Sequence, residues 1–172
     1  PMHHNIFPSE QKGCKKSSKG CKDLLLINKL IVWQAKKQKK ELSMAWIDYK
    51  KAFDSVPHSW IVEAVTIYRI NPVIIDFVTN TMKKWQTEMW LYFKEGHLKT
   101  KKIDIKRGIF QGDSLSPLLF CLTLIPLTNI LNNNKLGFQV NKTKINHLFY
   151  MDDLKLFSKN DSQLNDALTL VK

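Results

Sequence analysis

Apolar residues first recur at helical spacing. Leu24, Ile27, Leu30, Ile31 and Gln34/Ala35 share one face of residues 23–40, which predicts a helix. The stretch before it, PSEQKGCKKSSKGCK over 8–22, is polar, basic and rich in Gly and Ser, and reads as a loop. Alternation then replaces the helical period: LSMAWID over 42–48 predicts a strand ending on Asp48. Pro57 breaks the chain, and Ser59 is a capping residue for a helix to about Ile70. Asn71-Pro72 joins a capping side chain to proline at the first helical position and predicts a second helix to about Trp85. Strands are expected over 87–93 and 98–105, around the turn Lys94-Glu95-Gly96-His97. KRGIFQGDS over 106–114 is a polar loop, and Ser116-Pro117 opens a helix that Pro126 should kink or shorten. A loop over 132–137, two strand pairings over 138–145 and 146–158, and the start of a last helix follow.

Helix, strand, two helices, hairpin, helix, hairpins is not a regular alternation of strand and helix. It predicts an α+β fold with an antiparallel sheet covered on one face by helices. No internal repeat or low-complexity tract interrupts it.

Composition adds a partner class. Over 172 residues, 27 Lys+Arg against 15 Asp+Glu leave a net charge of +12, while 44% of residues are hydrophobic. That balance belongs to a globular chain and favours a polyanionic partner over an acidic small molecule or a purely structural role. Residues 1–51 hold 12 Lys and four acids, so the first third is the expected polyanion-facing part. Three cysteines, Cys14, Cys21 and Cys121, are too few and too irregularly spaced for a disulfide scaffold, and read as reduced thiols of an intracellular protein. Cys14 and Cys21 with His3 and His4 upstream match no common zinc spacing. No apolar run is long enough to span a bilayer, and no signal-peptide layout is present, so no membrane partner is expected. The chain starts at Pro1 and stops at Lys172 inside a helical pattern, and so reads as a piece of a longer polypeptide.

Three segments carry chemistry. In Phe149-Tyr150-Met151-Asp152-Asp153-Leu154-Lys155-Leu156-Phe157, two acids sit between apolar flanks suited to a hairpin. Its Phe149, Tyr150, Leu154 and Leu156 would tie that hairpin into a core. In Ala45-Trp46-Ile47-Asp48 another acid ends an apolar strand. Carboxylates on rigid strands are what hard divalent ions need in two-metal phosphoryl transfer. Asp48 and Asp152 are 104 residues apart, so only the fold can unite them. Arg107–Pro117 is a glycine-containing loop entering a helix, where backbone can approach an anionic or polar ligand.

Together these segments resemble the fingers–palm part of a reverse transcriptase, nearest to the non-LTR (LINE-type) retrotransposon enzymes. AWIDYKKAFDSVPH resembles the first palm motif, RGIFQGDSLSPLLF the motif that touches nucleotide and template, and FYMDDLKLF the paired-Asp hairpin. PSEQKGCKKSSKGCKD resembles the fingers segment ahead of the palm. The order is the family's, and the likeness covers most of the chain.

The resemblance implies a right-hand polymerase palm over 42–172, truncated before its end and before the thumb, with a partial fingers segment over 1–41. It implies RNA-directed DNA polymerisation, with nucleotidyl transfer of dNTPs to a primer 3′-hydroxyl on an RNA template with a DNA primer. Asp48, Asp152 and Asp153 would be catalytic and bind two Mg²⁺ (Mn²⁺ being the alternative), with the Tyr49 carbonyl as a further ligand. Phe53 would lie beneath the sugar and exclude a 2′-hydroxyl, Gln111 and Gly112 would line the nucleotide pocket, and Lys19 and Lys12 would meet the triphosphate. The implied location is nuclear for an active retrotransposon. A palm without a thumb should grip primer–template poorly, so little or no polymerisation is expected of the chain alone. An inert relic, or a basic nucleic-acid-binding module, stays open as an alternative at this point. Oligomeric state is not legible.

Overall fold

The computed structural model describes residues 6–16 and 18–172. Along the chain run α1 (Cys21–Gln38), β1 (Ser43–Ile47), α2 (Ala52–Ser55), α3 (His58–Ile67) and α4 (Pro72–Met82). Four short strands follow, β2 (Gln86–Thr87), β3 (Trp90–Phe93), β4 (Gly96–Lys99) and β5 (Ile103–Asp104). Next come α5 (Ser116–Asn133), β6 (Phe138–Val140), β7 (Thr143–Ile145), β8 (His147–Tyr150), β9 (Asp153–Ser158) and α6 (Asp161–Leu170). The α+β class and the antiparallel pairing are as the pattern predicts.

Two compact units divide these elements: the residues up to Lys50 with Phe120–Lys172, and Lys51–Leu119. The central sheet explains this: its order is β1-β9-β8, so it needs a strand from before Lys51 and two from after Phe120. Helix α1, expected with the fingers, packs on that same sheet.

In the first unit the sheet is a central layer. Cross-strand pairs Trp46↔Lys155 and Leu148↔Lys155 fix which residues share each face. On one face Phe149, Leu154 and Leu156 are buried with Leu131 of α5 and Ala167 of α6. On the other, Leu148 and Phe157 are buried with Ile31 and Ala35 of α1 and Phe138 of β6. Helices therefore lie on both faces, where the pattern predicted one. The spacing of Ile31 and Ala35, one helical turn apart, is what seats α1 there. At the outer edge of β8 the segment 10–12 adds a short parallel pairing: Lys12 N donates to Phe149 O at 3.0 Å, and Phe149 N to Glu10 O at 3.0 Å.

Helix α5 continues past Pro126 to Asn133, so the proline does not shorten it. Proline there removes one intrahelical hydrogen bond. The flanking Leu122, Ile125 and Leu131 are buried, and their burial outweighs that loss. Helix α6 is capped by Asn160, whose side chain accepts from Gln163 N.

In the second unit, α3 begins right after Pro57 with no side-chain cap, so Ser59 is not its capping residue. The Asn71 cap is as expected, its Oδ1 accepting from Val73 N at 2.9 Å. Helices α3 and α4 stop at Ile67 and Met82, short of the expected ends. The short α2 was not anticipated. The expected hairpin over 87–105 is split into a β3–β4 pair and a β2–β5 pair. Buried Ile61, Ala64, Val65, Val78, Met82 and Ile109 form this unit's interior.

Candidate active site

The sheet end carries the acids. Ile47 pairs with Leu154, so the next antiparallel position sets Asp48 level with Asp153. Tyr150 pairs with Asp153, leaving Met151 and Asp152 as the two-residue turn. Asp152 is in the turn, and Asp153 opens β9. Asp48 and Asp153 line one cleft of about 470 Å³ with Tyr150, Trp46 and Lys155 from the sheet and Cys21, Leu24, Leu25 and Asn28 from α1. Tyr49, the next residue along, points to the opposite face. Its hydroxyl is buried without a hydrogen bond, and burial raises its pKa above the usual phenol range.

The turn is held through Met151. Met151 has φ 55°, the left-handed value that a two-residue hairpin turn asks of its first central position. A non-glycine residue there stores strain of about 1–3 kcal/mol. Gln11, 2% exposed, clamps it. Its Oε1 accepts from Met151 N at 3.0 Å and its Nε2 donates to Met151 O at 3.1 Å. Gly13 N donates to the same Oε1 at 2.8 Å. A Cβ on Gly13 would stand 2.9 Å from Met151 N, so only glycine lets this segment close on the turn. Met151 Sδ meets Cys14 Sγ at 3.8 Å and Cys121 Sγ at 3.7 Å. Burial first, then Cys14 and the Asp152 charge, push the Cys121 thiol up to about 12, so it stays protonated and inert. All three cysteines are free.

Lys155 supplies the cleft's cation. Its Nζ donates to Asn28 Oδ1 at 2.5 Å and lies 3.9 Å from the centroid of the Trp46 ring. Burial lowers its pKa. Sequence reasoning missed Gln11, Asn28, Trp46 and Lys155. Only Lys155 left a local signal, two residues beyond Asp153 and so on the same strand face. Lys12 is half-buried on the segment beside β8, and Lys19 is exposed just ahead of α1 with its N–H donating to Asp23.

Phe53, Gln111 and Gly112 belong to the other unit. There the Phe53 and Arg107 segments are laced together. Ile109 N donates to Phe53 O at 2.9 Å, Gly108 N to Val56 O at 2.8 Å, and His58 Nε2 bonds Gly108 O at 3.0 Å. Gly108 has φ 91°, and a Cβ there would lie 3.1 Å from Asp54 O. Gln111 is exposed, Phe53 is half-buried, and Gly112 has open space around it. Asp113 organises the start of α5. It accepts from Ser116 Oγ, Ser116 N and Leu115 N, each at 2.7 Å, which hold its carboxyl below the usual range.

Over residues 1–172 the chain matches the family described as Reverse transcriptase (RNA-dependent DNA polymerase). The chain belongs to the reverse transcriptase family. It is 33% identical over 130 residues to the "Retrovirus-related Pol polyprotein from type-1 retrotransposable element R2" of Popillia japonica, covering 75% of this chain and 21% of that protein. The chain thus spans about a fifth of that relative's length. Apo telomerase from Candida tropicalis, truncated from its C-terminal domain, shares the fold at TM-score 0.59 and 18% identity, over 94% of this chain and 32% of that one. Telomerase from the same organism in complex with a TWJ fragment of telomeric RNA does so at 0.55 and 18%, over 88% and 26%. The resemblance to retrotransposon reverse transcriptases and the polymerase fold are therefore shown.

Reverse transcriptases work with divalent metal ions. The donors at this sheet end are hard carboxylate oxygens, which suit such ions. Among the described residues no three of His, Cys, Asp and Glu are gathered closely enough to hold one. Backbone register brings Asp48, Asp152 and Asp153 to one sheet end; their side chains do not form a closed ligand set. The zinc reading falls partly on His3 and His4, outside the described residues. No helix among the described residues is long and apolar enough to cross a membrane.

Proposed function

We propose that this reverse transcriptase domain extends a primer 3′-hydroxyl with dNTPs on an RNA template, using Asp48, Asp152 and Asp153. The observation that carries the reading is the register that sets Asp48 level with Asp153 beside the clamped Met151-Asp152 turn. Because these carboxylates do not form a closed ligand set by themselves, substrate phosphates would have to complete it; two Mg²⁺ bound so, with the Tyr49 carbonyl, would supply activation of the hydroxyl and charge neutralisation at the leaving pyrophosphate. The chain's own part is positioning. Gln11 fixes the turn that presents Asp152, and the sheet core fixes Asp153 and Asp48. Lys155 is placed to meet an anionic group entering the cleft. On the family resemblance, Phe53 is the steric filter against a 2′-hydroxyl, Gln111 and Gly112 touch the nucleotide, and Lys12 and Lys19 serve its triphosphate. The telomerase neighbour solved with RNA supports an RNA partner, as does the +12 charge, which would hold the duplex backbone without reading sequence. The proposed location is intracellular, and nuclear within an active element.

Primer extension on poly(rA)/oligo(dT) with Mg²⁺, in the full-length parent protein, tests this. Asp152→Asn should lower the rate on the order of 10³-fold, the effect typical of losing a group that stabilises transition-state charge. The exposed-site control Asp166→Asn should leave it unchanged. Equal activity of Asp152→Asn and the unaltered parent would refute the site.

A further inference from the structure

The β3–β4 hairpin exposes aromatic surface that the polymerase reading leaves unused. The pairs Trp90↔Lys99 and Tyr92↔His97 put Trp90, Tyr92, His97 and Lys99 on one face. Leu91, Phe93 and Leu98 fall on the other by alternation. All eight strand residues are exposed, Tyr92 at 76% and Trp90 at 44%. The two faces differ in chemistry. The second is aliphatic and aromatic without a cation among its strand residues.

The rings of the first face lie against one another, with Tyr92 and His97 tilted by 40° at 6.0 Å. Trp90 and Tyr92 are stacked at 6.3 Å with planes 16° apart, and Trp90 and His97 at 5.1 Å and 28°. Lys99 Nζ lies over the Trp90 ring, 5.1 Å from its centroid, and also pairs with Glu88 Oε2 at 3.7 Å. Residues 83–107 hold eight Lys and Arg against three acids. Exposed rings with Lys99 over one of them, in a segment rich in Lys, suit unpaired bases, each with a π-face to stack, on a phosphate backbone. Duplex bases offer no such faces, because they stack on one another.

We propose that the Trp90–Tyr92–His97–Lys99 face of this hairpin is a stacking platform for single-stranded nucleic acid. The inference rests on ring geometry and charge. It can be tested without chemistry, in EDTA and without dNTPs, so its failure and that of the polymerase reading are distinguishable.

Anisotropy of fluorescein-labelled single strands of about 12 nucleotides, in RNA and DNA versions, measures it. Trp90→Ala and Tyr92→Ala should each weaken binding about tenfold, in line with the loss of one base–aromatic stack. Lys99→Gln should reduce the slope of log K against log salt by about one. Leu98→Ser, on the opposite face, should leave affinity unchanged, and a duplex of the same length should compete poorly. Because these side chains are exposed, all four variants should melt with the unaltered protein, which separates binding loss from misfolding. Unchanged affinity in Trp90→Ala and Tyr92→Ala would overturn the proposal. So would equal loss in Leu98→Ser, or self-association in sedimentation that Tyr92→Ala abolishes while RNA binding persists. A preference between the RNA and DNA versions would name the strand that the platform serves.

Discussion

Two hairpins of this molecule follow one local grammar and meet opposite fates. Both β8–β9 and β3–β4 are antiparallel, rich in aromatic and aliphatic residues, and closed by two-residue turns, Met151-Asp152 and Lys94-Glu95. In the first, Phe149 and Leu156 are fully buried. In the second, every strand residue is exposed. A third strand and helices on both faces make the difference. β1 pairs with β9, α5 and α6 cover one face, and α1 covers the other. A two-stranded hairpin by itself has no interior. Rigid acids are therefore found where a hairpin is enclosed, and an accessible ring surface where it is not.

The sharpest way to break this contrast is matched truncation. Phe149→Ala should cost about 3–5 kcal/mol of unfolding free energy in urea, whereas Phe93→Ala should stay within about 0.5 kcal/mol. Similar losses at both would mean that β3–β4 is covered in solution.

Acid should strain the enclosed hairpin next. His147 of β8 is buried, with hydrogen bonds to Asn146 and Thr128, and burial pushes its pKa down from 6.5 to about 4. Between those values the unfolded chain holds more protons than the folded one. Stability is thus complete above pH 6.5 and falls as pH drops toward 4. The total loss is on the order of 3 kcal/mol. In His147→Asn the difference in stability between pH 7 and about pH 4.5 should shrink, as urea titrations at each pH would report. An unaltered pH profile would mean that His147 is not desolvated.

Smaller still is the turn clamp. Gln11→Ala leaves the N–H and C=O of Met151 without their partner and should cost about 1–3 kcal/mol. It should also slow primer extension in the parent protein, with less effect on KM than on kcat, because Gln11 positions Asp152 without touching substrate. Leu91→Thr on the open hairpin should shift the melting midpoint least of all, its ΔΔG within about 0.5 kcal/mol.

Much of this was legible in the residues, for local reasons. The Asn71-Pro72 helix start, the α1 face of Ile31 and Ala35, and the Asp-bearing hairpin each follow from side-chain chemistry within a few positions. Pro126 did not shorten α5 because a proline's cost is local, while the burial that offsets it comes from residues brought in by the fold. Gln11 was invisible for the same reason: its partner is Met151, 140 positions away, and nothing beside it in the chain marks it as a brace. Lys155 had a signal, its period-two distance from Asp153, but the ring beneath it comes from β1 and its hydrogen bond from α1.

Family and most helix and strand types were set by the residues alone, because motif chemistry and short-range periodicity are written in adjacent positions. Tertiary structure alone decided that Asp48 stands level with Asp153, that Gln11 holds the turn, and that one hairpin is enclosed while the other is bare. Those outcomes depend on strand pairing across more than a hundred residues. Such pairing is chosen by which apolar faces can be buried together, and no local pattern records that choice.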